Sequence, residues 1–86
     1  PPRRLICFEL TEKGIPRKDY KLFRDNEEAG FVTSGIYSPT LEKGIGLGYL
    51  YGKPSKSGTA IQVEIRGKRV GAVVVKPPFY KHGSRK

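Results

Sequence analysis

The chain has 86 residues, 36% of them hydrophobic, with neither Trp nor Met. That length permits one small domain with a modest core, short of surplus stability unless a neighbour covers part of it. Lys and Arg total 17 against 8 Asp and Glu, and the formal net charge of +9 suggests an anionic partner.

That partner could be nucleic acid, an acidic protein face or a polyanionic small molecule. The basic residues are dispersed, however: Arg3 and Arg4, Arg17 and Lys18, Lys53 and Lys56, Arg66, Lys68 and Arg69, then the tail from Lys76. No run is dense enough for a basic arm, so a solvated basic surface competes with every binding reading. The lone Cys7 rules out an internal disulfide and the lone His82 leaves no metal cluster. Cys7 lies in Leu5-Ile6-Cys7-Phe8, where a buried, inert thiol is expected. A single thiol fits a reducing compartment. No stretch approaches the roughly 20 apolar residues of a spanning helix. No signal peptide follows Pro1-Pro2-Arg3-Arg4, and without an initiator Met the chain is expected to be cut from something longer.

Arg3 to Leu10 mixes β-branched and aromatic residues without helical periodicity and predicts the first strand. Thr11 to Pro16 is a loop, since Gly14 and Pro16 bracket a turn. Tyr20, Leu22 and Arg24 alternate with Lys21 and Phe23 as a short second strand, and Asp25-Asn26-Glu27-Glu28 is a hairpin turn. Ala29 to Tyr37 is the third strand, halted by Ser38-Pro39. Glu42-Lys43-Gly44 forms a second polar turn, with the glycine free to take a positive φ.

The fourth strand, Ile45 to Tyr51, belongs to an unusual run. Gly44, Gly46 and Gly48 alternate with Ile45, Leu47 and Tyr49, which leaves one face bare backbone and the other apolar. A bare face admits another backbone or a ligand, or marks a closely packed or bent barrel strand. A dinucleotide or triphosphate loop is rejected, because the glycine spacing, the following helix and the Lys-Ser/Thr pair are all wrong.

Gly52 to Gly58 is a polar connection in which Pro54 is placed to start one short helical turn. Ile61, Val63 and Ile65 alternate cleanly with Gln62, Glu64 and Arg66 as a half-buried strand. Arg66 to Arg69 turns the chain, and Val70 to Val75 returns as a continuous apolar run expected to be covered on both faces. Pro77-Pro78 ends the sheet, Phe79-Tyr80 is expected to pack back, and Lys81 to Lys86 is a basic tail. The fold class is therefore all-β: a small antiparallel six-stranded barrel with Greek-key-like connections, residues 1–86 forming a single domain.

Several segments together go beyond a generic barrel. Leu5-Ile6-Cys7-Phe8-Glu9-Leu10, Lys13-Gly14-Ile15-Pro16-Arg17, Val32-Thr33-Ser34-Gly35 and Ser38-Pro39-Thr40-Leu41 occur in order. Lys43 to Tyr49, Val63-Glu64-Ile65-Arg66-Gly67-Lys68 and Lys76-Pro77-Pro78-Phe79-Tyr80 follow at consistent spacing. This series closely resembles the C-terminal barrel domain of the glycine cleavage system T-protein, the tetrahydrofolate-dependent aminomethyltransferase superfamily, over nearly the whole chain. Related folate-dependent demethylating enzymes share the domain.

The resemblance implies a part of an enzyme whose larger N-terminal part, with most of the folate pocket and its key aspartate, is not in these residues. The family takes an aminomethyl group from the lipoyl arm of the H-protein, releases ammonia and forms methylenetetrahydrofolate. The barrel would help wall the central cavity and receive the lipoylated H-protein. Its partners would be that protein and its own N-terminal domain, with no specific nucleic acid and no membrane. Tetrahydrofolate would be bound by the parent enzyme and not tightly by these residues alone. The implied location is the cytoplasm, or the mitochondrial matrix in a eukaryote.

For sites, Arg17 follows Pro16, which fixes the loop's approach, and by resemblance lies where the H-protein arm arrives. In the tail, the resemblance places a residue shortly after the Pro-Phe pair in the substrate cavity, near the carboxylates of folate. Arg85 is the first candidate and Lys81 the second, a guanidinium being suited to a carboxylate by its two parallel donors. No nucleophile–base pair or carboxylate pair suggests catalysis by these residues alone. The alternatives are a free-standing barrel that binds nucleic acid, recruiting Tyr20, Tyr37, Tyr49, Tyr51 and Tyr80, or an adaptor for an acidic protein.

Overall fold

The computed structural model describes residues 3–52 and 55–76. Its strands are β1 (Arg3–Leu10), β2 (Lys21–Arg24), β3 (Glu27–Ser38), β4 (Lys43–Tyr51), β5 (Ala60–Ile65) and β6 (Lys68–Val75). All neighbours are antiparallel, and the sheet closes on itself in the order β1-β4-β3-β2-β5-β6. Closure leaves no free sheet edge to recruit another chain. No helix occurs among the described residues, and the turn expected at Pro54 lies outside them.

Two of the hairpins are tight for a local reason. Asp25-Asn26 and Arg66-Gly67 each carry positive φ at both central positions, the two-residue turn whose twist matches that of the flanking strands. The β3–β4 connection differs from expectation. Gly44 is a strand residue paired with Tyr37, and it is Glu42 that adopts the left-handed conformation, at φ 57°. The Ser38 carbonyl and hydroxyl accept the N–H groups of Glu42 and Leu41, which closes that loop without a glycine.

The core is small. Phe8, Leu10, Leu22, Val32, Leu50, Ile61, Val63 and Val74 are its main side chains, all 3% exposed or less. On β5 the expected alternation holds, with Ile61 and Val63 inward. On β6 the expectation of two covered faces is corrected. Ala72 and Val74 face the core, while Val73 and Val75 are only half-buried on the outside. The second strand is also shorter than expected: Tyr20 precedes it, and Leu22 and Phe23 are both buried although adjacent. A register shift explains the latter, since Leu22 pairs with Gly30 and Phe23 with Glu28, leaving Ala29 as the extra residue. Leu22 enters the core, and Phe23 lies under the Arg69 guanidinium at 4.0 Å.

The β4 glycines turn their bare face inward. Gly46 pairs with Phe8, whose ring occupies the space that a Gly46 side chain would need, with a Cβ there only 2.7 Å from the ring. Gly48 likewise lies against Leu22 and the β3 backbone. The reading of a closely packed barrel strand is therefore the right one, and the apolar residues Ile45, Leu47 and Tyr49 are left on the outside. Gly46→Ala should cost about 1–3 kcal/mol by overpacking against Phe8. Urea unfolding of the two proteins checks this, and pairing the change with Phe8→Leu should recover part of the loss.

Candidate functional site

The β1–β2 connection, residues 11–20, crosses one end of the barrel and is fastened at three places. The Thr11 N–H donates to the Gly71 carbonyl, and the Gly71 N–H donates to Glu12 Oε2 at 2.8 Å. In the middle, Pro16 is fully buried against Gly35, whose backbone leaves no room for a Cβ beside the Pro16 carbonyl. Gly44 accommodates the same segment, since a Cβ there would meet the Gly14 carbonyl and the Pro16 ring. At the far end, Asp19 N–H donates to the Val32 carbonyl and Val32 N–H to the Tyr20 carbonyl, both at 2.8 Å. The glycines of β3 and β4 thus make the seat, and Pro16 is the plug.

Arg17 follows the plug directly. It opens a turn closed by the Tyr20 N–H on its carbonyl, with Asp19 at φ 76° in the third position, the dihedral pattern of a type II turn. Its side chain is exposed and makes no hydrogen bond or ion pair among the described residues. Buried Pro16 and the turn therefore hold the Arg17 backbone while its guanidinium remains available. The burial of Pro16 has a weak sequence signal, the Gly35 and Gly44 spacing, which gains meaning only once the register is known.

Beside the plug lies an open cavity of about 730 Å³, lined by the β1 end and the loop through Ile15 and, opposite, by Tyr37 and Glu42 to Gly44. Lys43 on its wall is tied to Glu9 at 3.2 Å, and the acids Glu12 and Glu42 face the same space as Lys13. This mixed, open wall does not fit an entire folate, whose glutamate end needs an uncompensated cationic cradle. Arg85 and Lys81, the other two candidates, lie outside the described residues.

Cys7 is on the outer side of the sheet between Leu47 and Val75, yet only 4% exposed. Burial pushes its thiol above the ordinary value of 9.0. No group of three His, Cys, Asp or Glu residues is placed to hold a metal among the described residues.

The described tyrosines do not form one stacking platform. Tyr20 packs on the core and Tyr37 sits at the cavity, whereas Tyr49 and Tyr51 lie beside Phe31 at 5.7 and 6.3 Å. Arg3 covers the Tyr49 ring at 4.4 Å. Tyr80 lies outside the described residues, and nothing in this arrangement favours nucleic-acid binding.

The architecture defines a class: a closed six-stranded barrel, plugged at one end by its first crossover, that presents a loop and a groove without a catalytic set among the described residues. The sequence pattern of the glycine cleavage T-protein C-terminal barrel domain matches residues 3–81, and the chain belongs to that family. It is 52% identical over 81 residues to an aminomethyltransferase of Geobacillus thermodenitrificans, covering 94% of this chain and 22% of the relative. An aminomethyltransferase of Aquifex aeolicus is 47% identical over 79 residues, covering 92% of this chain and 23% of its own. The glycine cleavage system aminomethyltransferase T of Bartonella henselae superposes with a TM-score of 0.79 at 28% identity, over 92% of this chain and 22% of that structure. The chain thus spans less than a quarter of the length of these relatives.

Two outcomes follow from the site. Pro16→Ala should destabilise the chain by about 1–3 kcal/mol through lost packing and a freer loop, whereas Arg17→Ala should stay within roughly 0.5 kcal/mol of the parent; thermal melts of both report this. For Cys7, the folded state holds the thiol proton more tightly than the unfolded state does. Its contribution to stability is full below the unfolded thiol's pKa and is lost as pH rises through the raised folded value. Urea midpoints measured from neutral to alkaline pH should fall less steeply on the alkaline side for Cys7→Ala than for the parent.

Proposed function

We propose that residues 1–86 are the C-terminal accessory domain of an aminomethyltransferase of the glycine cleavage system. The parent enzyme takes the aminomethyl group carried on the lipoyl arm of the H-protein, releases ammonia and passes the one-carbon unit to tetrahydrofolate. The observation that carries this reading is the 52% identity to an aminomethyltransferase of Geobacillus thermodenitrificans, which runs along 94% of the chain. The cavity beside the plug supports it as well, because an open, mixed wall suits one side of a larger pocket.

In this reading Arg17 meets the H-protein or its arm, and the tail residues Arg85 and Lys81 meet the carboxylates of folate. Lipoyl-bearing partners approach from outside, so an exposed arginine on a braced loop gives a directional contact at little entropic cost. The chemistry belongs to the parent enzyme; the barrel's part is to orient and enclose.

The test is made in the whole enzyme, with this barrel fused to the preceding residues of the Geobacillus relative. Glycine-cleavage turnover should appear in the fusion and not with the 86-residue chain alone. Arg17→Ala should raise the KM for H-protein with kcat little changed. Arg85→Ala or Lys81→Ala should weaken folate binding at fixed salt by roughly tenfold or more, the scale of a lost charged hydrogen bond. A fusion without turnover overturns the reading, and unchanged constants remove the corresponding residue from the site.

A further inference from the structure

The outer face of the β1–β4–β3 sheet carries apolar side chains on three neighbouring strands. Because the β4 glycines point inward, Ile45, Leu47 and Tyr49 point outward, in register with Ile36, Leu5 and Phe31 on the strands either side. Ile36 is 60% exposed and Leu5 49%, and a shallow depression of about 280 Å³ runs between Ile36, Ile45 and Leu47. Single exposed apolar residues are ordinary, but a contiguous set on one sheet face marks an interaction surface.

We propose that this face docks against the remaining folded part of an aminomethyltransferase chain, the part that precedes the barrel in its relatives. The inference rests on the family reading above and goes beyond it by assigning the face. Length supports this occupant: the barrel matches 22% of the Geobacillus relative, which leaves most of that chain as a large folded neighbour available to cover the face. Charge supports it too. At the rim Lys43 is neutralised by Glu9 at 3.2 Å, and Arg3 lies over Tyr49. A centre without free charge selects an apolar protein surface over a polyanion, even though the chain carries +9 overall. The β4 pattern also has a simple cause on this view. A strand with apolar residues on its outer face is favourable when that face is covered in the complete protein.

Thiol footprinting tests the assignment. Ile36→Cys, and separately Lys68→Cys on the β5–β6 hairpin as a control, are made in the 86-residue chain and in the Geobacillus fusion. Reaction with a maleimide should slow by roughly tenfold or more at position 36 in the fusion, with no change at position 68. Equal reactivity at position 36 in the two proteins overturns the proposal. Protection in the isolated chain that grows with concentration also overturns it, and gives the face to a second copy. As a second readout, Leu47→Lys should leave the melting point of the isolated chain unchanged and restore reactivity of Ile36→Cys in the fusion. Turnover of the fusion is scored separately: protection without turnover sinks the functional reading alone, and turnover without protection sinks only the docking face.

Discussion

The packing of Phe8 against Gly46 is the constraint on which the other features depend. A barrel of six short strands has an interior too narrow for large side chains on every strand at one level. Phe8, on β1, takes that space, and the strand beside it answers with bare backbone. Once Gly46 faces inward, the two-residue period of a strand turns Gly44 and Gly48 inward as well. Gly44 then provides the seat for the crossover loop, and Gly48 makes room for Leu22. A single aromatic ring therefore sets the facing of β4, the depth to which Pro16 can sink and the character of the outer surface.

The crossover is the second organising feature. It begins at the β1 end beside Gly71 of β6 and finishes on Val32 of β3, so it spans the barrel end from one side to the other. At Val32 the β3–β4 register shifts, with Thr33 as the extra residue and its hydroxyl donating to the Leu47 carbonyl at 3.2 Å. The irregularity adjoins Val32, which keeps its place beside Gly48 on β4 while its N–H and C=O go to Tyr20 and Asp19 on the other side. The bulge and the docked loop thus meet at one residue of β3, which holds the segment that carries Arg17.

Much of this was legible in the chain, and the limits have physical reasons. Ile61, Val63 and Ile65 declare a half-buried strand because their alternation is uninterrupted. The hairpin turn expected over Asp25 to Glu28 is there but shorter, since Asp25-Asn26 tolerate positive φ and turn the chain alone while Glu27 and Glu28 already belong to β3. Alternation in Gly44 to Tyr49 shows which residues share a face, but not which face is inside. That depends on Phe8, almost forty positions away. The joint burial of Leu22 and Phe23 was hidden for a similar reason, since the irregularity that permits it is on the partner strand at Ala29. Glu42 took the left-handed role expected of Gly44 because Gly44 was needed in the sheet. At the site, the proximity of Pro16 and Arg17 is local and readable, whereas the burial of Pro16 rests on contacts with Gly35 and Gly44 across two other strands.

The closing seam between β1 and β6 has one more consequence. Cys7 pairs with Val75 and Leu10 with Ala72, so the beginning of β1 and the end of β6 leave the barrel at the same end, on adjacent strands. A domain whose two ends emerge side by side can be attached to, or exchanged between, longer polypeptides without any strand being threaded through another. The same geometry sets its mechanical weakness. Tension drawing Cys7 and Val75 apart peels the seam one pair at a time, instead of shearing all its hydrogen bonds together, while Arg3 to Ile6 stay held on β4. The seam thus opens like a zip from the side at which the first and last strands meet.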